Sequence, residues 1–78
     1  MPLKRVSVLG KQYRASALCA KDVRPEALVY FKNARKAYRI VAEDGTEMIL
    51  RNMRHPDMLD AVTPEWICEN CYLIEPCE

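Results

Sequence analysis

The sequence predicts an α+β domain: a small antiparallel sheet, built from two hairpins and a short C-terminal strand, with one amphipathic helix and a short C-terminal helix. Three observations carry this expectation. Asp44-Gly45 sits between two apolar runs, apolar residues recur at helical spacing after Pro25, and Thr63-Pro64-Glu65 is a strong helix start. At 78 residues the chain has single-domain length, so residues 1–78 are taken as one domain. A chain this short buries only about 60% of the surface it exposes when unfolded, which leaves a thin core.

Arg5-Val6-Ser7-Val8-Leu9 is short and β-branched, and Gly10-Lys11 reads as a turn into a second strand from Gln12 to Cys19. Next, Ala27, Tyr30, Phe31, Ala34 and Tyr38 fall at the spacing of one helix face, predicting a helix from Pro25 to Lys36. A buried strand over Ala27 to Phe31 stays open beside it, because Leu28 and Val29 lie off the helical stripe. The hairpin from Tyr38 to Arg51 rests on turn chemistry, since Asp-Gly supplies the positive φ of a tight turn, and it is placed at the centre of the sheet. Asn52 to Asp60 reads as a loop containing Pro56. Thr63 then caps a short helix with Pro64 at its first position and Glu65 near its positive end. Tyr72-Leu73-Ile74 closes the domain as a last strand before Pro76.

Half of the residues are hydrophobic and 29% are charged, enough apolar surface to fold and too much to expect disorder. No apolar run approaches the roughly 18 residues of a membrane span, and Met1-Pro2-Leu3-Lys4-Arg5 does not read as an export leader. A cytoplasmic location is expected. The net charge of +1 conceals an asymmetry: residues 1–39 carry ten Lys/Arg against Asp22 and Glu26, a net +8, and residues 40–78 carry Arg51 and Arg54 against nine acids, a net −7. Such segregation points to a polyanionic partner for the first half, or to a partner for the acidic second half. The competing account is that the two halves face and neutralise each other.

Cys68-Glu69-Asn70-Cys71, with Cys77, Cys19 and His55, contains the residue types of a tetrahedral zinc site, but only one close pair is present and a helix start lies directly upstream. On a helix, Cys68 and Cys71 share one face, as small buried hydrophobes do. Buried thiols are therefore the preferred reading and no cofactor is expected, with zinc and a redox or disulfide role as alternatives. His55-Pro56-Asp57 matches the tripeptide of J-domain co-chaperones. That family sets the tripeptide between two long antiparallel helices, whereas here a hairpin precedes it, so it is read as a loop.

One His, two Ser and no glycine-rich phosphate loop leave no catalytic constellation, and no enzyme activity is expected. On the expected helix, Lys32, Arg35, Lys36 and Arg39 form a basic stripe, which is either an ordinary solvated face or a contact for an anionic surface. Tyr13, Tyr30 and Tyr38 are available for stacking or for the core. The leading expectation is a non-enzymatic interaction module whose basic face meets nucleic acid or an acidic protein surface. The second is a small phage or mobile-element inhibitor whose acidic residues (Glu43, Asp44, Glu47, Asp57, Asp60, Glu65 and Glu69) mimic nucleic acid. The third is a zinc-stabilised domain held by Cys68, Cys71, Cys77 and His55.

Overall fold

Two positive-φ turns set the ends of the hairpins. Leu9 and Gly10 (φ 52° and 80°) join the first pair of strands, and Gly45 (φ 64°) turns the second, as the Asp-Gly dipeptide predicts. The computed structural model describes residues 4–77. In chain order the elements are β1 (Lys4–Val8), β2 (Lys11–Ser16), a 3₁₀ turn (Ala20–Asp22), β3 (Leu28–Phe31), β4 (Ala37–Asp44), β5 (Glu47–Asn52), β6 (Leu59–Val62), α1 (Pro64–Asn70) and β7 (Cys71–Pro76). The domain is thus sheet-rich, with seven antiparallel strands in the order β1-β2-β7-β3-β4-β5-β6.

The sheet is an N-terminal hairpin and a four-stranded meander stitched together by the last strand. β7 pairs with β2 through Ala15↔Ile74 and with β3 through Tyr30↔Tyr72. Helix α1 carries the chain from the β6 edge back to that gap. Thr63 caps it as expected, its Oγ1 accepting the Trp66 amide at 3.1 Å. Its Ile67 is fully buried in a cluster with Val29, Tyr38, Ile40, Met48, Leu50 and Cys71. Burying such a side chain contributes about 1.5–3 kcal/mol. A second cluster, built on Val8, Tyr13, Ala15, Ala37 and Ile74, occupies the opposite face at the hairpin end.

Four expectations are corrected. Residues 25–36 form no helix: the Ala27 amide donates to the Arg24 carbonyl at 3.2 Å around Pro25 and a positive-φ Glu26, a β-turn, and β3 follows. The physical reason is that β3 is packed on both sides, with Val29 and Phe31 against one cluster and Leu28 and Tyr30 against the other. An apolar run without alternation is what such a strand requires, and its chance helical spacing misleads. The strand alternative for this segment is the one observed. Second, the end of the expected loop, Leu59 and Asp60, begins strand β6 (Leu59–Val62). Third, the Asp-Gly hairpin lies toward one end of the sheet, where β3 holds the middle place. Fourth, β7 has six residues and an interior position. Among the described residues no helix is long and apolar enough to cross a membrane; the reading of an absent leader rests partly on residues 1–3, which lie outside them.

Candidate anion-binding groove

The basic residues expected on a helix occupy instead the turn between β3 and β4 and the strand after it. Lys32, Arg35 and Lys36 are exposed on the turn, which the Lys32 amide ties to the Asn70 carbonyl at 2.9 Å. Arg39 stands apart on β4, where its guanidinium lies 3.3 Å from the Glu26 carboxylate. Both partners of this pair are exposed, so it adds little stability. It is the sole ion pair among the described residues, and both members belong to the first half of the chain. Among the described residues the two oppositely charged halves therefore do not neutralise each other through short contacts.

What the turn cations share is a groove. A cavity of about 190 Å³ is lined by Ser7, Arg35, Lys36, Asn52, Arg54, His55 and neighbours. Through Tyr30 and Arg35 it adjoins a second, of about 350 Å³, which adds Lys4, Lys32 and Tyr72. A third of about 340 Å³ continues past Lys4, Lys32 and Tyr72 toward Ser16, Leu18 and Cys68. Five cations (Lys4, Lys32, Arg35, Lys36 and Arg54) line this run, and no Asp or Glu does. The cations on one side are held by local structure. The buried Asn52 accepts the Arg54 and His55 amides on its Oδ1 at 2.8 and 3.0 Å, and the Met53 amide donates to the Ala37 carbonyl at 3.0 Å. The loop closes where Met58 donates to the His55 carbonyl around Pro56-Asp57, so the His-Pro-Asp tripeptide forms a turn before a strand.

The floor of the groove is aromatic. Tyr30 and Tyr72 are direct cross-strand partners and half-buried. Lys4 and Lys32 each place the ammonium 5.3 Å from the Tyr72 ring centroid, and Lys4 Nζ donates to the Tyr72 hydroxyl at 3.4 Å. Tyr13 and Tyr38 are core residues, Tyr38 stacked on Phe31 at 4.6 Å. Of the three tyrosines singled out in the sequence, only Tyr30 reaches the groove. Tyr72 and Arg54 were not singled out, and only the pairing of β7 with β3 and the fold of the 53–58 loop bring them there.

The seven acidic residues of the nucleic-acid-mimic reading are all exposed but scattered. Glu43, Asp44 and Glu47 stand at the tip of the β4–β5 hairpin, Asp57 in the following loop, Asp60 on β6, and Glu65 and Glu69 on α1. Asp60 pairs with Leu50, and Val62 with Met48 near the hairpin tip, so the set is divided between the two ends of the meander.

The four residues of the zinc alternative are not brought together. Cys68 lies on α1, Cys71 begins β7, Cys77 follows β7 with its amide bound to the Gln12 carbonyl, and His55 lines the groove. Among the described residues no three His, Cys, Asp or Glu side chains are arranged to hold a metal ion, and all four cysteines are free thiols. Burial pushes the Cys71 thiol up to about 12, and burial with the nearby Cys19 and carboxylates raises Cys68 as well. Both are therefore held as neutral thiols.

No family model, curated protein or solved structure matches the chain. Fold and groove together define a class all the same: a small antiparallel sheet domain presenting a basic, aromatic-floored groove on one side.

Proposed function

We propose that this domain is a non-enzymatic interaction module that binds an anionic macromolecule through the groove. One observation carries the reading: three adjoining cavities share five cationic side chains and contain no carboxylate. Like charges gathered around a concavity, with nothing of opposite sign beside them, repel one another until an anion arrives. They raise the local potential and favour anion association. Arg39, already paired with Glu26, is left out of the contact set.

Binding to immobilised heparin, a flexible polyanion, tests the reading. Arg35→Glu with Lys36→Glu should elute at clearly lower salt with an unchanged melting temperature, since exposed charges contribute little to folding. Asp57→Lys with Asp60→Lys, which changes the acidic surface, should elute no earlier than the parent. Equal elution of parent and the Arg35/Lys36 variant would overturn the proposal. In that case a partner lost with the Asp57/Asp60 variant would identify the acidic residues as the contact, as the nucleic-acid-mimic reading requires.

A further inference from the structure

We propose that the groove's occupant is a single-stranded nucleic acid, its bases stacking on Tyr72 and Tyr30 while its phosphates meet the surrounding cations; this rests on the reading of the groove as a polyanion site. Three features select a single strand. The first is shape. The cavities join end to end, Tyr30 and Arg35 bordering the first two and Lys4, Lys32 and Tyr72 the next two. A linear chain can follow such a run, while a duplex is too wide for cavities of this size and is usually entered by a protruding helix or β-ribbon. The one helix of the described residues has seven residues and buries its Ile67 in the core.

The second feature is the floor. Two half-buried tyrosines side by side on neighbouring strands offer π-faces, which an acidic peptide does not need and an unpaired base does. The third is the position of Lys4 and Lys32, each 5.3 Å from the Tyr72 ring on flexible stems. A stacked base displaces an ammonium from the ring, and the freed lysine then lies within reach of the flanking phosphates. Cation and ring thereby exchange one exposed contact for two with the ligand. Because every base has a π-face, recognition of this kind tolerates sequence.

Fluorescence anisotropy with labelled oligo-uridine and oligo-thymidine, each longer than the roughly 4–16 nucleotides of a small binding fold, provides the test. A duplex of matched length and heparin serve as comparisons. The single strands should bind more tightly than the duplex, with a logarithmic salt slope no steeper than about −3.5 if all five cations each meet a phosphate. Tyr72→Leu should weaken oligonucleotide binding by roughly fivefold or more, as loss of one stacked base implies, and leave heparin elution unchanged. Arg35→Glu with Lys36→Glu should weaken both. Should Tyr72→Leu fail to fold, NMR of the parent replaces it: the Tyr72 ring protons must shift upfield with oligonucleotide and stay in place with heparin. Heparin binding with no preference for single strands, or with no Tyr72 response, would overturn the nucleic-acid proposal and leave the polyanion reading standing. An acidic polypeptide such as polyglutamate competing as well as the oligonucleotides would assign the groove to acidic protein instead. Absence of binding to any polyanion would overturn both.

Discussion

The Asp44-Gly45 turn permits a test in which handedness alone is changed. Gly45 has φ +64°, and a Cβ built there meets nothing within 4 Å. Steric clash with the surroundings is therefore absent, and any cost of a side chain at this position is conformational. An L-residue held in the left-handed region costs roughly 1–2 kcal/mol. Gly45→Ala should destabilise the domain by about that amount, less the roughly 0.4–1 kcal/mol recovered because alanine restricts the unfolded chain. For a domain of this size, 1 kcal/mol moves the melting temperature by about 4–8 °C. D-Alanine at position 45, placed by chemical synthesis, finds the same dihedral comfortable and restricts the unfolded chain equally. It should therefore raise stability by about 0.4–1 kcal/mol. Gly45→Val, whose β-branch resists positive φ most, should fall below Gly45→Ala. Thermal melts followed by circular dichroism, with urea unfolding for free energies, measure the series. If the D- and L-alanine proteins change stability in the same direction by the same amount, the turn is not held at positive φ and the register of β4 with β5 is wrong.

Two further outcomes follow from buried groups. Asn52→Ala removes the acceptor for the Arg54 and His55 amides, and should cost about 1–3 kcal/mol in urea unfolding, with increased amide exchange confined to the 53–58 loop. Stability should also fall in alkali. The buried Cys71 thiol is pushed from 9.0 to about 12 in the fold, and burial, reinforced by Asp60 and opposed by Asn52, raises the Tyr38 phenol too. The folded state thus holds its proton more tightly than the unfolded chain. The Cys71 contribution is complete below the ordinary thiol pKa of 9.0 and is lost as pH climbs toward 12. Urea midpoints should be flat up to near pH 9 and decline above it, less steeply in Cys71→Ala, which starts lower because it leaves a cavity. A midpoint unchanged to pH 11 would show Cys71 to be exposed.

The elements that were legible in the sequence are those specified by local chemistry. Asp44-Gly45 and Thr63-Pro64-Glu65 state their turn and their helix start within three residues, and both are observed. The N-terminal hairpin was legible too, but its turn was read one residue late, because leucine is an unusual occupant of the positive-φ position that Leu9 holds. The errors lie where the environment, rather than the segment, decides. β3 has the residues of a strand and the spacing of a helix, and only packing on both of its faces selects between them. β6, with Leu59 and Asp60 exposed, carries almost no apolar pattern, since an edge strand buries little. In the groove, Lys32, Arg35 and Lys36 were found as a charge cluster, and their separation from Arg39 follows from the turn that replaces the helix.

Tyr72 and Lys4 could not have been read from the sequence as groove residues, because the last strand brings them to Tyr30, nor could Arg54, which the 53–58 loop places. Tyr72 reaches Tyr30 only through the β7–β3 register, and Lys4 belongs to β1, which joins the sheet through β2 and hence through β7. Tyr13 pairs with Pro76 and Lys4 approaches Tyr72, so the contacts that build the floor span most of the chain. Such pairing is slow to form, since a long loop must close before any contact rewards it. Without β7 the N-terminal hairpin and the meander share no strand pairing, the second cluster is divided between them, and Lys4 is separated from the four groove cations of the meander. Four basic residues of the first half, Lys4, Lys32, Arg35 and Lys36, therefore line one groove only in the completed sheet. A partner of the groove that touches Lys4, Tyr72 and Arg35 at once bridges β1, β7 and the β3–β4 turn. It should stabilise β7 against local opening, the strand on which the integrity of the whole sheet depends.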